Sequence, residues 1–67
     1  MTEKIEWTET VDEYELRVIS EDKYVNTVWF AQAVQETPDG GLVQIWGTQY
    51  LRSEAEAREA IRNTWKV

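Results

Sequence analysis

The chain has 67 residues, a net charge of −6, four tryptophans and three tyrosines, and it contains neither cysteine nor histidine. Residues 1–67 make one small domain without room for a second core, and the missing Cys and His exclude disulfides, thiolate chemistry and the usual zinc arrangements. No apolar run approaches the ~20 residues of a membrane-spanning helix, and the acidic opening MTEKIEWTET is unlike a signal peptide, so a soluble, cytoplasmic protein is expected.

The first predicted strand covers about 3–11 and the second about 14–20. Ile5, Trp7 and Val11 occupy odd positions, whereas Tyr14, Leu16 and Val18 occupy even ones. A two-residue turn at Asp12-Glu13 produces that change of phase and returns both sets to one side. A single long strand with a bulge is the alternative, which would leave three strands instead of four. Glu9 shares the phase of Trp7 and Val11, and an inward-pointing charge of this kind is a device found on edge strands. Residues 1–22 hold Glu3, Glu6, Glu9, Asp12, Glu13, Glu15, Glu21 and Asp22 against Lys4 and Arg17, which accounts for the whole net charge.

ISEDKY reads as a four-residue turn that pairs Val18 with Val25 and Tyr14 with Trp29. The third strand, about 24–36, opens with YVNTVWFAQAV. Its β-branched and aromatic content fits a strand, yet both of its sides are apolar. Asp39-Gly40 within TPDGGL is a type I′ hairpin signal. It sets Ala33 opposite Trp46, Ala31 opposite Thr48 and Trp29 opposite Tyr50 on a fourth strand, about 42–51. The helix, about 54–66, begins at Ser53 with Glu56 three residues on, a capping box. Ala57, Ala60, Ile61, Thr64 and Trp65 then share one face.

In this register one sheet face collects Ile5, Trp7, Val11, Tyr14, Leu16, Val18, Val25, Trp29, Ala31, Ala33, Trp46 and Tyr50. The small Ala31 and Ala33 leave room for a helix carrying Ile61 and Trp65. The expected fold is α+β, an antiparallel β-meander of three to four strands with one C-terminal α-helix packed across one face. The opposite face is polar along the first hairpin. Farther on it carries Val28, Phe30, Val34, Val43, Ile45 and Leu51, which one helix cannot also cover. An apolar patch of that kind marks an interaction site. Its occupant would be a protein partner or a second copy in a homodimer, since identical faces can cover each other.

Chemistry is nearly absent. Nucleophilic catalysis has no candidate, Glu13 and Glu15 form an exposed carboxylate pair without an apolar pocket, and the Asp/Glu spacing matches no calcium loop. No enzyme activity, cofactor or metal is expected. Two further readings concern charge. The carboxylates of Glu6, Asp12, Glu13 and Glu15 along the first hairpin would suit an acidic nucleic-acid mimic, a strategy of small phage inhibitors. Arg58, Arg62 and Lys66 form a stripe on the helix that would suit weak nucleic-acid binding, although the net charge repels polyanions. GTQYLRSEAEAREAI resembles the last strand and helix of small β-meander-plus-helix domains, including the arm-DNA-binding modules of phage integrases. Those modules bind DNA with basic sheets and this sheet is acidic, so no functional residue is carried over. The expected function is a non-enzymatic protein-interaction module, a small inhibitor or adaptor of a larger enzyme or complex.

Overall fold

The computed structural model describes residues 2–66. Among them lie four strands, β1 (Glu3–Val11), β2 (Tyr14–Asp22), β3 (Thr27–Glu36) and β4 (Leu42–Gly47), followed by one helix, α1 (Glu54–Trp65). The strands form a single antiparallel sheet in the order β1-β2-β3-β4. The helix lies across β2 and β3 on one face, so the expected α+β meander is the observed fold.

The first hairpin closes where the change of phase placed it. Val11 pairs with Tyr14, and Asp12 takes φ 56°, a left-handed conformation that Asp tolerates better than most residues. Farther from the turn the ladder shifts between Ile5 and Trp7. This bulge sends Ile5 to the face away from the helix while Trp7 stays on the helix side, so Ile5 does not join the core.

The β2–β3 register differs from the expected one. Val18 pairs with Ala31 instead of Val25, and Tyr14 pairs with Gln35 instead of Trp29. Both strands run to a tighter turn closed by the Lys23 N–H, which donates to the Asn26 carbonyl at 2.8 Å. Val25 sits at its tip and is 93% exposed, so it is not a core residue. Each partner moves by six residues, an even number, and side chains alternate with period two. The face assignment therefore survives the change of register.

The second turn is also corrected. The Thr37 N–H donates to the Gly41 carbonyl and the Gly40 N–H to the Thr37 carbonyl. A three-residue loop, Pro38-Asp39-Gly40, takes the place of the expected two-residue turn. Pro38 supplies the fixed φ that suits the first corner of a type I turn, and Gly40, at φ 90°, supplies the left-handed position that follows it. The Asp39 carboxylate accepts from the Thr37 hydroxyl and the Gly41 N–H. Those bonds, the hydroxyl first, hold its pKa below the ordinary carboxylate value.

A second bulge, at Ile45, restores the expected pairing of Ala33 with Trp46. Past Gly47 the chain still follows β3. The Thr48 N–H donates to the Ala31 carbonyl at 2.9 Å, and Leu51 exchanges both backbone bonds with Trp29. Leu51 therefore faces the helix side and Tyr50 the other, the reverse of the expected order.

The core consists of Leu16, Val18, Ala31, Ala33, Ala57 and Ile61, with Trp7, Val11, Trp29, Trp46, Leu51 and Trp65 packed around it. The Trp65 ring sits 5.2 Å from Tyr14 and 6.2 Å, edge-on, from Trp46, centroid to centroid. Large aromatic area around a small aliphatic centre supplies the apolar burial that a chain without staples needs. The helix starts as its sequence implies, with Ser53 Oγ accepting the Glu56 N–H at 3.2 Å. The return bond departs from the usual box, because Glu56 Oε2 accepts from the Arg52 N–H at 2.9 Å. Ser53→Ala is expected to lower stability by ~1 kcal/mol, read as a lower denaturant midpoint at unchanged slope.

Candidate interaction surface

The outer face, opposite the helix, is built from cross-strand rungs that the register defines. Glu3, Glu21 and Val28 form the first, and Ile5, Ile19 and Phe30 the second. Thr8, Arg17, Gln32 and Gly47 form the third, then Thr10, Glu15, Val34 and Gln44 the fourth. The second rung is wholly apolar. Tyr50 extends it, its ring 5.9 Å from that of Phe30 in an edge-on arrangement. Ile19 is a buried floor, whereas Ile5 and Tyr50 are about half exposed, at 49% and 55%. Phe30 lines two concavities. One of about 420 Å³ also involves Ile5, Arg17 and Ile19, and one of about 430 Å³ also involves Gln44, Thr48 and Tyr50. Phe30 and Gln44 form the wall they share.

Tyr50 lies outside regular structure and is held by a polar clamp. Its hydroxyl donates to Glu21 Oε1 at 3.0 Å, and Lys23 Nζ lies 3.3 Å from Glu21 Oε2. The same ammonium sits 4.8 Å from the Tyr50 ring centroid. Glu21 is only 6% exposed, and a buried carboxylate is tolerated when it is paired and hydrogen-bonded in this way. The hydrogen bond to Glu21 raises the Lys23 pKa above its ordinary value. The clamp fixes Tyr50 over Phe30.

The residues expected to form the patch are dispersed. Val28 and Phe30 lie on the first two rungs of the outer face. Val34 shares that face but is buried, and the third rung, with Arg17 and Gln32, separates it from Phe30. Val43 pairs with Gln35 and so belongs to the helix side, while Ile45 occupies the bulge. Ile5, Ile19 and Tyr50 take the places that Val43 and Ile45 leave. Ile19 had a signal in the sequence, an odd position in a strand whose even residues are core. Ile5 and Tyr50 had none, because a bulge and an irregular segment put them there.

The acidic residues do not form one track. Glu6 accepts from the Ser20 hydroxyl at 2.7 Å and lies 4.0 Å from Lys4, about halfway along the ribbon from Asp12. Five residues of strand, Trp7 to Val11, lie between the two, ~20 Å. Glu15 is bound to Arg17 Nε at 2.6 Å. Glu13 and Glu15 line a concavity with Glu36 and Leu42. On the helix, Arg58 is engaged twice, to Glu54 at 2.8 Å and over the Trp7 ring at 5.4 Å. Arg62 and Glu9 border the groove beside them, which sets the inward charge of β1 opposite the helix cations.

Among the described residues no acidic or thiol cluster suited to a metal is present, and no helix is long and apolar enough to cross a membrane. Compared with known proteins, the chain matches no family model, no curated sequence and no solved structure.

Proposed function

We propose that the chain is a non-enzymatic protein-binding module that docks a foreign protein on its outer sheet face, in the manner of a small inhibitor or adaptor of a larger enzyme or complex. The observation that carries this reading is the apolar rung of Ile5, Ile19 and Phe30, continued by the clamped Tyr50 and bordered by two concavities. Clamped aromatic anchors beside hollows that a partner side chain can fill are the usual composition of interface hot spots. A chain without Cys or His has few groups for covalent or acid–base chemistry near neutral pH, which favours binding over catalysis.

The test uses the tagged chain to capture its partner from native cell extract, with two variants beside it. Phe30→Ser is expected to weaken capture by about tenfold or more, as loss of a central anchor does. The set Glu6→Gln, Asp12→Asn, Glu13→Gln and Glu15→Gln is expected to leave it nearly unchanged. Raising salt from 0.1 to 1 M should matter little, although it shortens the Debye length from ~10 to ~3 Å. Capture that survives Phe30→Ser but disappears with the neutralised set would assign the acidic hairpin as the contact, and the outer-face reading would fall.

A further inference from the structure

We infer that Asp39-Gly40 is a modification site, where the chain converts aspartate to isoaspartate, and that Thr37 restrains the conversion while the loop is folded. In this reaction the Gly40 backbone nitrogen gives up its proton and attacks Asp39 Cγ. The protonated carboxyl loses one oxygen as water, and a five-membered succinimide closes. Water then adds at the Asp39 main-chain carbonyl carbon and breaks its bond to the Gly40 nitrogen, so that the chain runs through Cβ and Cγ. One water leaves and one returns. Mass and oxidation state are unchanged, and water is the only co-reactant.

Sequence and position favour the chemistry. Glycine has no side chain to shield the attacking nitrogen, whereas the other two aspartates, Asp12 and Asp22, are followed by Glu13 and Lys23. Asp39 and Gly40 are exposed in the loop between β3 and β4. A Cβ built on Gly40 would meet nothing within 4 Å, so no neighbouring group blocks approach to the pair.

The restraint is hydrogen bonding, and it converges on Thr37. The nucleophile is engaged, because the Gly40 N–H donates to the Thr37 carbonyl at 3.0 Å. Asp39 Oδ1 accepts from the Thr37 hydroxyl and, at 3.3 Å, from the Gly41 N–H. Those bonds favour the ionised carboxylate, which has no oxygen ready to leave as water. The same hydroxyl accepts from the Gly41 N–H at 3.0 Å. One carbonyl and one hydroxyl of a single residue therefore hold both reacting groups. Isomerisation would add one backbone carbon to a three-residue loop, beside the pairing of Glu36 with Leu42. None of this depends on the outer-face function proposed above.

The test incubates the whole chain at mildly acidic pH and 37 °C, folded and in guanidinium chloride. Isoaspartate is counted by enzymatic methyl transfer to its new α-carboxylate and located by peptide mapping at unchanged mass. Losing a hydrogen bond to a charged group is worth about tenfold, so the unfolded wild type should react at Asp39 at least about tenfold faster than the folded one. Thr37→Val in its folded state should react about tenfold faster than the folded wild type for the same reason. Thr37→Ser keeps the hydroxyl and should react at the wild-type rate. Amide exchange at Glu36 and Leu42 checks that both variants retain the hairpin, and the comparison of folded with unfolded wild type needs no variant. An unfolded chain that forms no isoaspartate at Asp39, or a folded wild type that reacts as fast as the unfolded one, overturns the inference. So does Thr37→Val at the wild-type rate, or Thr37→Ser as fast as Thr37→Val.

Discussion

Leu16→Ala is expected to lower the free energy of unfolding by ~2–5 kcal/mol, the range for emptying a fully buried aliphatic site. Leu16 is wholly inaccessible and lies opposite Ala33 beneath the helix. A domain of this length has about 3–10 kcal/mol of stability in all, so the variant should be partly unfolded near 37 °C. Urea melts followed by tryptophan fluorescence would measure it. Val25→Ala is the control, because a side chain at an exposed turn tip should change stability by less than ~0.5 kcal/mol. Equal losses in the two variants would contradict the β2–β3 register.

Ala33→Leu is the second large effect, and it acts by crowding instead of emptying. Ala31, Ala33 and Ala57 are fully buried within one cluster, and three small residues there let the helix approach the sheet closely. Three added carbon atoms have no space to enter. The expected destabilisation is ~1–3 kcal/mol, and α1 should separate from β3 before the sheet melts. Circular dichroism at a helix-sensitive wavelength would then lose its coincidence with the loss of amide-exchange protection in β1 and β2, which reports the sheet alone. Tryptophan fluorescence would not separate the two, because Trp65 belongs to α1 and packs on Trp46. Coincident transitions of wild-type midpoint would mean that the cluster has spare volume.

What the sequence revealed depended on parity more than on register. The change of phase between Val11 and Tyr14 located the first turn, and the alternation of Leu16, Val18, Ala31 and Ala33 located the core face. Both signals have period two, so they tolerate any even error, and the error in pairing β2 with β3 was even. The position of that turn was not legible. Tyr24 and Val25 favour strands, and the pairing that buries Leu16 and Val18 under the helix overrides the local preference. The capping box at Ser53 and the hairpin at Asp39-Gly40 were legible because their residues have few other uses. The form of the hairpin loop was not, since Pro38 shifted it from two residues to three.

The outer surface was harder to read for a related reason. A bulge changes parity without leaving a mark in composition, and one at each edge moved Ile5 onto the outer face and took Ile45 out of alternation. Tyr50 depends on the clamp between Glu21 and Lys23, residues 27 and more positions earlier in the chain, and no local pattern announces such a contact. Phe30 was found because it sits in the middle of β3, away from both irregularities.

The meander order carries a consequence for how the chain reaches this state. Every strand pairs with its neighbour in sequence, through connections of only two to five residues, so little loop entropy opposes any single pairing. Each hairpin can form in ~1–10 μs, and each can begin as soon as its second strand is available. The helix must then return from residue 54 to β2 and β3 to bury Leu16 and Ile61 together, and that is the longest closure in the molecule. Sheet formation is therefore expected to be local and rapid, and docking of the twelve-residue helix to set the height of the folding barrier.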